Sequence, residues 1–480
     1  MKISPIVRFT FRALFLLTQL SAAAQNIFTD AEDDGIRNFL RDNFRQTNAC
    51  IVIGLADEHG NKLFNAGKLD NGSGREVNGD AVFFIGSVSK TFTALLLLDA
   101  VERGEMKLDD PVAKYLPASI KVPTHGGKEI TLLDLATHAA GFPANPDNMT
   151  GSSTREQYET YTVEKMYAFL PGYTLSRDPG TEFEYSNVGM ALLGHVIAMK
   201  AEMNFESLVL KRICQPLHMD STSLTLSPEL KARLAMGHED TGEPSPPWNL
   251  QAYAPAGGVY STASDLLKYV SAQAGLAPSS LTRLINETHV VRFKDTRGLS
   301  DVPGFGVFGR TAMDWVDRGA YQPPGMELLG HAGGAGSYHS WIGFDKKQRR
   351  GVVVLTTAND VSSEAIGWTL LQRQPLKREN ANEFAKEIVG LGFAIGLDEK
   401  ARAPFVTKVY PQSPASQAGL SVGLIIQTIQ NVPTVGKTVA ECAVLLRANG
   451  SPKVRLELFN PERKVTNTVE LARGKFLTSG

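Results

Sequence analysis

Residues 83–103 read FFIGSVSKTFTALLLLDAVER, and the organisation of the chain follows from them. They pass from a strand-like apolar run through Gly86 into a segment that contains neither glycine nor proline. Because residues 94–98 make this segment apolar on nearly every face, the pattern predicts a helix buried in the middle of a domain. Gly104 then stands where a helix commonly ends.

Ser87 and Lys90 are three residues apart at the start of this helix, so they should be neighbours one turn apart. A serine hydroxyl is a weak nucleophile unless a base accepts its proton, and a lysine whose pKa is lowered by burial can be that base. The N–H groups at a helix start also favour the oxyanion of acyl transfer. Alone, Ser-x-x-Lys more often marks a helix start without catalytic function.

The composition describes an ordinary soluble protein: 480 residues, 42% of them apolar, with a formal net charge of -1. Such a chain has room for more than one domain, and its charge does not indicate nucleic acid or an anionic membrane as a partner. Three dispersed cysteines are too few for a disulfide framework or a metal cluster, although a Cys50–Cys214 bridge stays open. We expect no metal and no organic cofactor.

Residues 1–24 have the features of an export signal. Three basic residues flank or precede a short apolar run at 13–20, and small residues at 21–24 offer a cleavage site. The run is too short to span a bilayer comfortably, although an uncleaved N-terminal anchor is the alternative. We therefore expect a periplasmic or secreted protein.

Strand patterns lie at both ends of residues 26–375, and helical patterns fill the middle. We predict strands at 50–55, 62–66, 82–85, 341–344 and 351–356, and helices at 30–44 and 362–371. This order predicts an α+β fold, in which an antiparallel sheet is flanked by terminal helices beside an all-helical insertion. The Ser87 helix would begin in the cleft between sheet and insertion.

A polar linker at residues 376–386 precedes a change of pattern. Short strands, one helix near 439–447 and a closing strand at 453–459 predict a second, β-rich domain over residues 387–475.

Tyr185 and Asn187 precede another apolar helix, where a phenol and an amide would face a cleft side by side. The phenol can move protons between the serine and a leaving group if lysines lower its pKa. The amide of Asn187 can bond both Lys90 and a substrate carbonyl. A helix-capping turn is the simpler interpretation of these residues alone.

Residues 328–337 form a glycine-rich strand pattern, LLGHAGGAGS. An extended substrate could pair with such an edge strand, and an N–H group near Gly334 could complete an oxyanion hole with that of Ser87. His331 could supply a donor, or a positive charge at mildly acid pH, to a substrate carboxylate. Alone, the segment would more often be a flexible loop.

In this order the three motifs resemble those of the penicillin-recognising serine hydrolases. The Tyr-x-Asn form is similar to the class C branch, which joins class C β-lactamases, D-alanyl-D-alanine carboxypeptidases, D-amino-acid peptidases and some esterases. The resemblance covers about residues 30–370 and includes residues 131–138, 179–181 and 256–262. It implies Ser87 as the acylated nucleophile, Lys90 as its base, Tyr185 in proton transfer and Asn187 as a substrate-orienting residue.

The resemblance also implies that His331, Gly333 and Gly334 line the third wall of the site. Asn145 falls where class C β-lactamases carry a glutamine that contacts the substrate amide. Those enzymes usually have Lys-Thr-Gly at the third motif, whereas His331-Ala332-Gly333 is more similar to the carboxypeptidase and D-aminopeptidase members.

The second domain resembles a PDZ domain, and its peptide-binding loop would consist of Gly390, Leu391, Gly392 and Phe393. Such loops capture a C-terminal carboxylate while the peptide adds a strand. Leu424 stands where many such domains have an aspartate. A module that only packs on the catalytic domain is the alternative.

Together these features predict an exported serine hydrolase whose substrate is an amide or ester with a nearby carboxylate. β-Lactams and D-Ala-D-Ala-type peptides are the leading candidates, and small acyl esters are the alternative. A catalytically idle scaffold or sensor, tethered through its PDZ-like domain, is the alternative of another class.

Overall fold

The computed structural model describes most of the chain. The described residues are 31–44, 48–239, 242–294, 310–317, 323–377, 387–391, 393–398, 402–409, 413–437, 441–442, 445–446, 453–461, 463–472 and 474–477. The chain divides into two compact units after Lys377. The expected export signal, and all but the first two residues of the expected linker, lie outside the described residues. No described helix is both long enough and apolar enough for a membrane span.

Within the described residues, unit 1 contains fourteen strands. They are β1 (Ile51–Asp57), β2 (Gly60–Ala66), β3 (Val82–Phe84), β4 (Thr124–His125), β5 (Lys128–Glu129), β6 (Gly237–His238), β7 (Pro244–Ser245), β8 (Tyr260–Thr262), β9 (Phe293–Lys294), β10 (Arg310–Ala312), β11 (Trp315–Asp317), β12 (Leu328–Ala335), β13 (Tyr338–Asp345) and β14 (Arg350–Thr356).

The helices of the same unit lie mostly between β2 and β9. They are α1 (residues 31–43), α2 (Ser89–Glu102), α3 (Leu132–Ala136), α4 (Thr154–Glu159), α5 (Val163–Gly172), α6 (Asn187–Lys200), α7 (Phe205–Val209), α8 (Pro228–Lys231), α9 (Ala254–Gly257), α10 (Ala263–Gln273), α11 (Thr282–Thr288) and α12 (Ser363–Leu371).

Strands from both ends of unit 1 form one antiparallel sheet in the order β2-β1-β14-β13-β12-β11-β10-β9. Gly54 and Gly351 bring one face of this sheet against α10, whereas Trp341 on the other face packs on Gly367 of α12. Since both faces are covered, every residue of β14 is buried. The predicted α+β fold, with an antiparallel sheet and flanking helices, is confirmed.

The insertion is not entirely helical, which corrects one detail of the prediction. β3 is not part of the main sheet but pairs with β8 in a separate two-stranded sheet. Two further two-stranded sheets, β4-β5 and β6-β7, lie in the same region. β3 and β8 stand near the two ends of the insertion, so their pairing closes it and holds the entrance to α2 in place.

The buried central helix is confirmed as α2, in which every residue from Ser89 to Ala100 is buried. It begins two residues later than Ser87, because Gly86–Val88 form a separate 3₁₀ turn. Ser87 therefore stands directly before the helix rather than in its first turn.

Unit 2 is rich in strands and has its own apolar core, which includes Val406, Ile426 and Leu456. A short helix, α13 (Pro414–Gln417), also occurs. Lys453–Asn460 is not the closing strand that we expected, because two further strands follow it. The strands are β15 (Glu387–Gly390), β16 (Phe393–Asp398), β17 (Ala403–Val409), β18 (Ile425–Ile429), β19 (Val432–Pro433), β20 (Lys453–Asn460), β21 (Val465–Ala472) and β22 (Gly474–Leu477).

Candidate active site

The turn that carries Ser87 is held on both sides. Ser89 Oγ donates to Gly86 O at 2.7 Å and accepts from Val259 N at 3.1 Å, so the turn is tied to the segment before β8. Gly86 has a φ of 50°, and a Cβ atom there would lie 2.7 Å from Gly334 N. Only glycine fits at position 86, and its absence of a side chain lets β12 approach the turn.

Lys90 is fully buried, and its Nζ lies 2.9 Å from Ser87 Oγ and 2.7 Å from Ala256 O. Burial lowers the pKa of Lys90 to about 7, against the opposing effect of the Asp314 charge. A substantial fraction of the amine is therefore neutral near pH 7 and able to accept the serine proton.

Tyr185 covers Lys90, whose Nζ lies 4.8 Å from the centre of the phenol ring, and its hydroxyl is hydrogen bonded to Ser87. Burial first, and then the Asp314 charge, raise the pKa of Tyr185 far above its usual range. Proton transfer by Tyr185 was predicted on the condition that lysines lower its pKa, and that condition is wrong. The phenol stays protonated and can act as a donor.

Asn145 and Asn187 come together although they are far apart in sequence. Asn187 Nδ2 lies 3.4 Å from Asn145 Oδ1 and 3.3 Å from the Tyr158 hydroxyl, which itself donates to Asn145 Oδ1 at 2.8 Å. The Asn187 amide thus bonds Asn145 and Tyr158, rather than Lys90 as we expected. Tyr158 had no signal in the sequence analysis.

The third wall lies against the nucleophile turn. A Cβ atom on Gly333 would stand 2.1 Å from Ile85 O and 3.0 Å from Ser87 N, so only glycine permits this approach. Ser340 Oγ of β13 donates to the same Ile85 O at 2.7 Å. This brings the backbone of Gly334 beside the turn, as a shared oxyanion site with the Ser87 N–H group requires.

His331 lines the same cleft, but its two nitrogen atoms already face protein acceptors. Nδ1 lies 2.6 Å from Ala332 O, and Nε2 lies 3.2 Å from Asp314 Oδ2. The expectation that His331 donates to a substrate carboxylate is therefore at odds with this geometry, because both ring nitrogens already lie beside acceptors of the protein itself.

The sequence analysis missed Asp314 and His138 as parts of the site. Asp314 Oδ1 lies 2.8 Å from His138 Nε2, and both side chains are buried. Burial alone would raise the pKa of Asp314, but the interactions of its carboxylate with His331 and His138 outweigh burial and hold this pKa well below the usual range. His138 lies within residues 131–138, which the family resemblance included; Asp314 had no comparable signal.

Two recesses meet at Ser87. One encloses about 280 Å³ and also includes Phe183, Val316 and Glu364 in its lining. The other is smaller, about 70 Å³, and is lined by Asn187 and by aromatic side chains that include Trp248. Two recesses beside one nucleophile can receive the two halves of a substrate on either side of the bond that breaks. Among the described residues, no cluster of acidic, histidine or cysteine side chains could hold a metal ion.

All three cysteines are free and buried, so the Cys50–Cys214 bridge does not form in this structure. In unit 2, Gly390 ends β15, Leu391 is buried and Phe393 begins β16. Gly392 lies outside the described residues.

The model of the Beta-lactamase family matches residues 40–374. A D-alanyl-D-alanine-carboxypeptidase/endopeptidase, AmpH of Escherichia coli K12, is 28% identical over 295 residues, which are 59% of this chain and 72% of that protein. A beta-lactamase of Yersinia enterocolitica is 32% identical over 222 residues, 46% of this chain and 53% of that protein.

Solved structures agree on the fold. A beta-lactamase/D-alanine carboxypeptidase from Yersinia pestis, complexed with citrate, is 22% identical with a TM-score of 0.61, covering 73% of this chain and 99% of that one. The D-alanine carboxypeptidase AmpC of Burkholderia cenocepacia is 26% identical with a TM-score of 0.54, covering 69% of this chain and 95% of that one. The chain therefore belongs to the beta-lactamase family and is a serine hydrolase.

Proposed function

We propose that the protein hydrolyses D-Ala-D-Ala-type peptides or β-lactams through an acyl-enzyme on Ser87. The observation that carries the proposal is the contact of 2.9 Å between Ser87 Oγ and the buried Lys90 Nζ, whose pKa is lowered to about 7. A nucleophile and a base within hydrogen-bond reach in a cleft are the requirement for acyl transfer.

The geometry supports the following sequence of steps. Lys90 accepts the Ser87 proton while Oγ attacks the substrate carbonyl, and the oxyanion forms beside the N–H groups of Ser87 and Gly334. The protonated phenol of Tyr185 then gives a proton to the leaving nitrogen, and the carbon–nitrogen bond breaks. Tyr185 regains a proton from Lys90. A water molecule next attacks the acyl carbon and passes a proton to the Lys90–Tyr185 pair. The bond between the acyl carbon and Ser87 Oγ then breaks, Oγ takes up that proton, and the acid is released.

Both substrate classes have support. The relatives include a protein named as a D-alanyl-D-alanine-carboxypeptidase/endopeptidase and proteins named as beta-lactamases. Asn187 and Asn145 line or adjoin the smaller recess, where an amide of the substrate would meet their side chains. Because His331 is engaged by Asp314, recognition of a substrate carboxylate would depend on other donors in the cleft.

A fluorescent penicillin tests the acyl-enzyme directly. We expect covalent labelling of the full chain, with complete loss in Ser87→Ala and no loss in Ser73→Ala, an exposed serine whose hydroxyl bonds only within its own loop, to Asn71 and Arg75. Labelling that persists in Ser87→Ala would overturn the assignment of the nucleophile.

Turnover then identifies the substrate. Nitrocefin, a D-Ala-D-Ala peptide and a short acyl ester should be compared at equal enzyme concentration. Preference for either of the first two supports the proposal, whereas preference for the ester would establish an esterase. An absence of labelling and turnover with all of them would favour the idle scaffold or sensor.

We further propose that residues 1–24 direct export, so that the hydrolase acts in the periplasm or outside the cell. Unit 2 is proposed to act as a PDZ-like domain over residues 387–475. Its support is the strand order β16-β17-β18-β20-β21, in which β16, whose first residue is Phe393, stands at one end. Binding of C-terminal peptides to the full chain, competed by a free C-terminal peptide but not by its amidated form, would test this role.

A further inference from the structure

The turn between β10 and β11 is buried, although a two-residue hairpin turn normally lies at the surface. Its two residues, Met313 and Asp314, have φ values of 44° and 67° and are 0% and 3% exposed. Positive φ at a methionine is unusual, so the surrounding structure must hold this turn in place. The hairpin therefore inserts its tip, and with it a charge, into the wall of the larger recess beside Ser87.

The carboxylate of Asp314 contacts two histidines from different parts of the fold. Oδ1 faces Nε2 of His138, which follows α3 and itself has a φ of 58°, and Oδ2 faces Nε2 of His331 on β12. A buried carboxylate is costly unless it is paired and hydrogen bonded. His138 is the hydrogen-bond partner of Oδ1, whereas His331 Nε2 lies 3.2 Å from Oδ2 without the geometry of a hydrogen bond.

Each histidine connects this carboxylate to one catalytic motif. Ser186 N donates to His138 Nδ1 at 3.1 Å, and the His138 ring packs on the Tyr185 ring at 4.6 Å. Since Nδ1 of His138 accepts, its proton is on Nε2 and points to Asp314. His331 Nδ1 reaches Ala332 O on the strand that carries Gly333 and Gly334.

We propose that Asp314 is a positioning residue that ties the Tyr185–Asn187 motif to the His331–Gly334 strand at the wall of the larger recess. The inference rests on the proposed function and extends it. The described structure places the Ser87 hydroxyl, the Ala256 carbonyl oxygen and the Tyr185 ring around the amine. Asp314 and His138 are further titratable groups that interact with it.

Removal of this charge should produce two separate effects. The anion favours the charged form of Lys90, so its loss should let the amine release its proton at lower pH. The loss should also loosen the alignment of the phenol with the oxyanion site, which would slow acylation even where Lys90 is fully neutral.

Asp314→Asn separates these effects from a collapse of the turn, because asparagine also tolerates positive φ and has nearly the same shape. The rate of Ser87 labelling by fluorescent penicillin should be measured from pH 5 to 9. We expect the acid-side midpoint to move down by about 0.5 unit or more, together with a lower plateau. An unchanged plateau would overturn the proposal, whatever happens to the midpoint.

A mutant cycle tests the bridge itself. His138→Asn and His331→Asn should be non-additive in labelling rate by about threefold or more in the native background, and additive when combined with Asp314→Asn. Equal additivity in both backgrounds would show that Asp314 does not connect the two histidines. Thermal melting of every variant establishes that each is folded.

Imidazole nitrogen NMR of the Ser87→Ala protein gives a readout that does not need activity. His138 should show a single proton on Nε2, and the nitrogen chemical shifts of both His138 and His331 should change on adding Asp314→Asn. Unchanged spectra would overturn the bridge. If the native protein takes no penicillin label but these spectra change as expected, the proposed function fails while the bridge stands.

Discussion

The two sides of the cleft are built in opposite ways. Ser87 and Lys90 are only three residues apart, on the 3₁₀ turn and the first turn of α2 that follows it, so their contact forms between near neighbours in the sequence. The opposite side is assembled from residues 138, 185, 314 and 331, which come from four separate segments and meet only through the tertiary fold. Catalytic groups that are three residues apart can therefore be predicted from the sequence, whereas the distant groups that affect their pKa values and positions cannot.

Loss of the amine should have the largest effect. In Lys90→Met no neighbouring amine takes the serine proton, so labelling by penicillin should fall by about 1,000-fold or more at pH 8. Because burial penalises the charged amine, the variant should be at least as stable as the native protein to chemical denaturation at pH 7.

The lowered pKa of Lys90 also makes the stability of the native protein depend on pH. The pKa of Lys90 is about 7 in the folded protein and about 10.4 in an unfolded chain, so between these values the unfolded state binds more protons. The free energy of unfolding of the native protein should therefore increase relative to that of Lys90→Met as the pH rises from 7 to 10. The labelling rate of the native protein should rise with pH around 7. A variant with the same stability profile as the native protein would show that burial does not depress this pKa.

The contact between the two sides is tested by Gly333→Ala. Its new Cβ atom would collide with Ile85 O, so β12 must move away from Ser87 N. We expect labelling to fall by about 100-fold, with a loss of about 1–3 kcal/mol in unfolding free energy.

Gly334→Ala is the matched control, because the nearest atom to its added Cβ would be 3.8 Å away. It should cost far less than Gly333→Ala in both labelling rate and stability. Equal effects of the two substitutions would contradict the close approach between β12 and the nucleophile turn.

Much of the fold followed from local pattern. The continuous apolar character of residues 94–98 identified a buried helix, and β14 is as fully buried as its run of valines suggests. The departure of β3 from the main sheet was not predictable in this way. Strand pairing depends on which segments meet in space, and the three-residue strand Val82–Phe84 has no pattern that prefers β8 over the sheet.

The active site was likewise predictable only where local sequence determines its geometry. The expected geometry of Ser87 and Lys90 needed only the helical repeat, and the glycines of β12 indicated close approach of another backbone. Asp314 was not predicted as a site residue, because an aspartate in a two-residue turn ordinarily indicates an exposed hairpin. The expectation for the Tyr185 pKa failed because burial outweighs the neighbouring amine, and burial is a property of the assembled fold.

The smallest expected effect concerns the smaller recess. Tyr158→Phe removes the hydroxyl that holds Asn145 and Asn187 together, a loss of about 1 kcal/mol in the orientation of the two amides. For a substrate with an amide beside the reacting carbonyl, kcat/KM should fall about threefold to tenfold, and for a short acyl ester it should hardly change. Tyr161→Phe is the control, since the Tyr161 hydroxyl bonds Asn148 instead. It should lower stability without a difference between the two substrates. If both phenylalanine variants affect amide and ester alike, the paired asparagines do not read the substrate amide, and the selectivity of the cleft must lie on the Asp314 side.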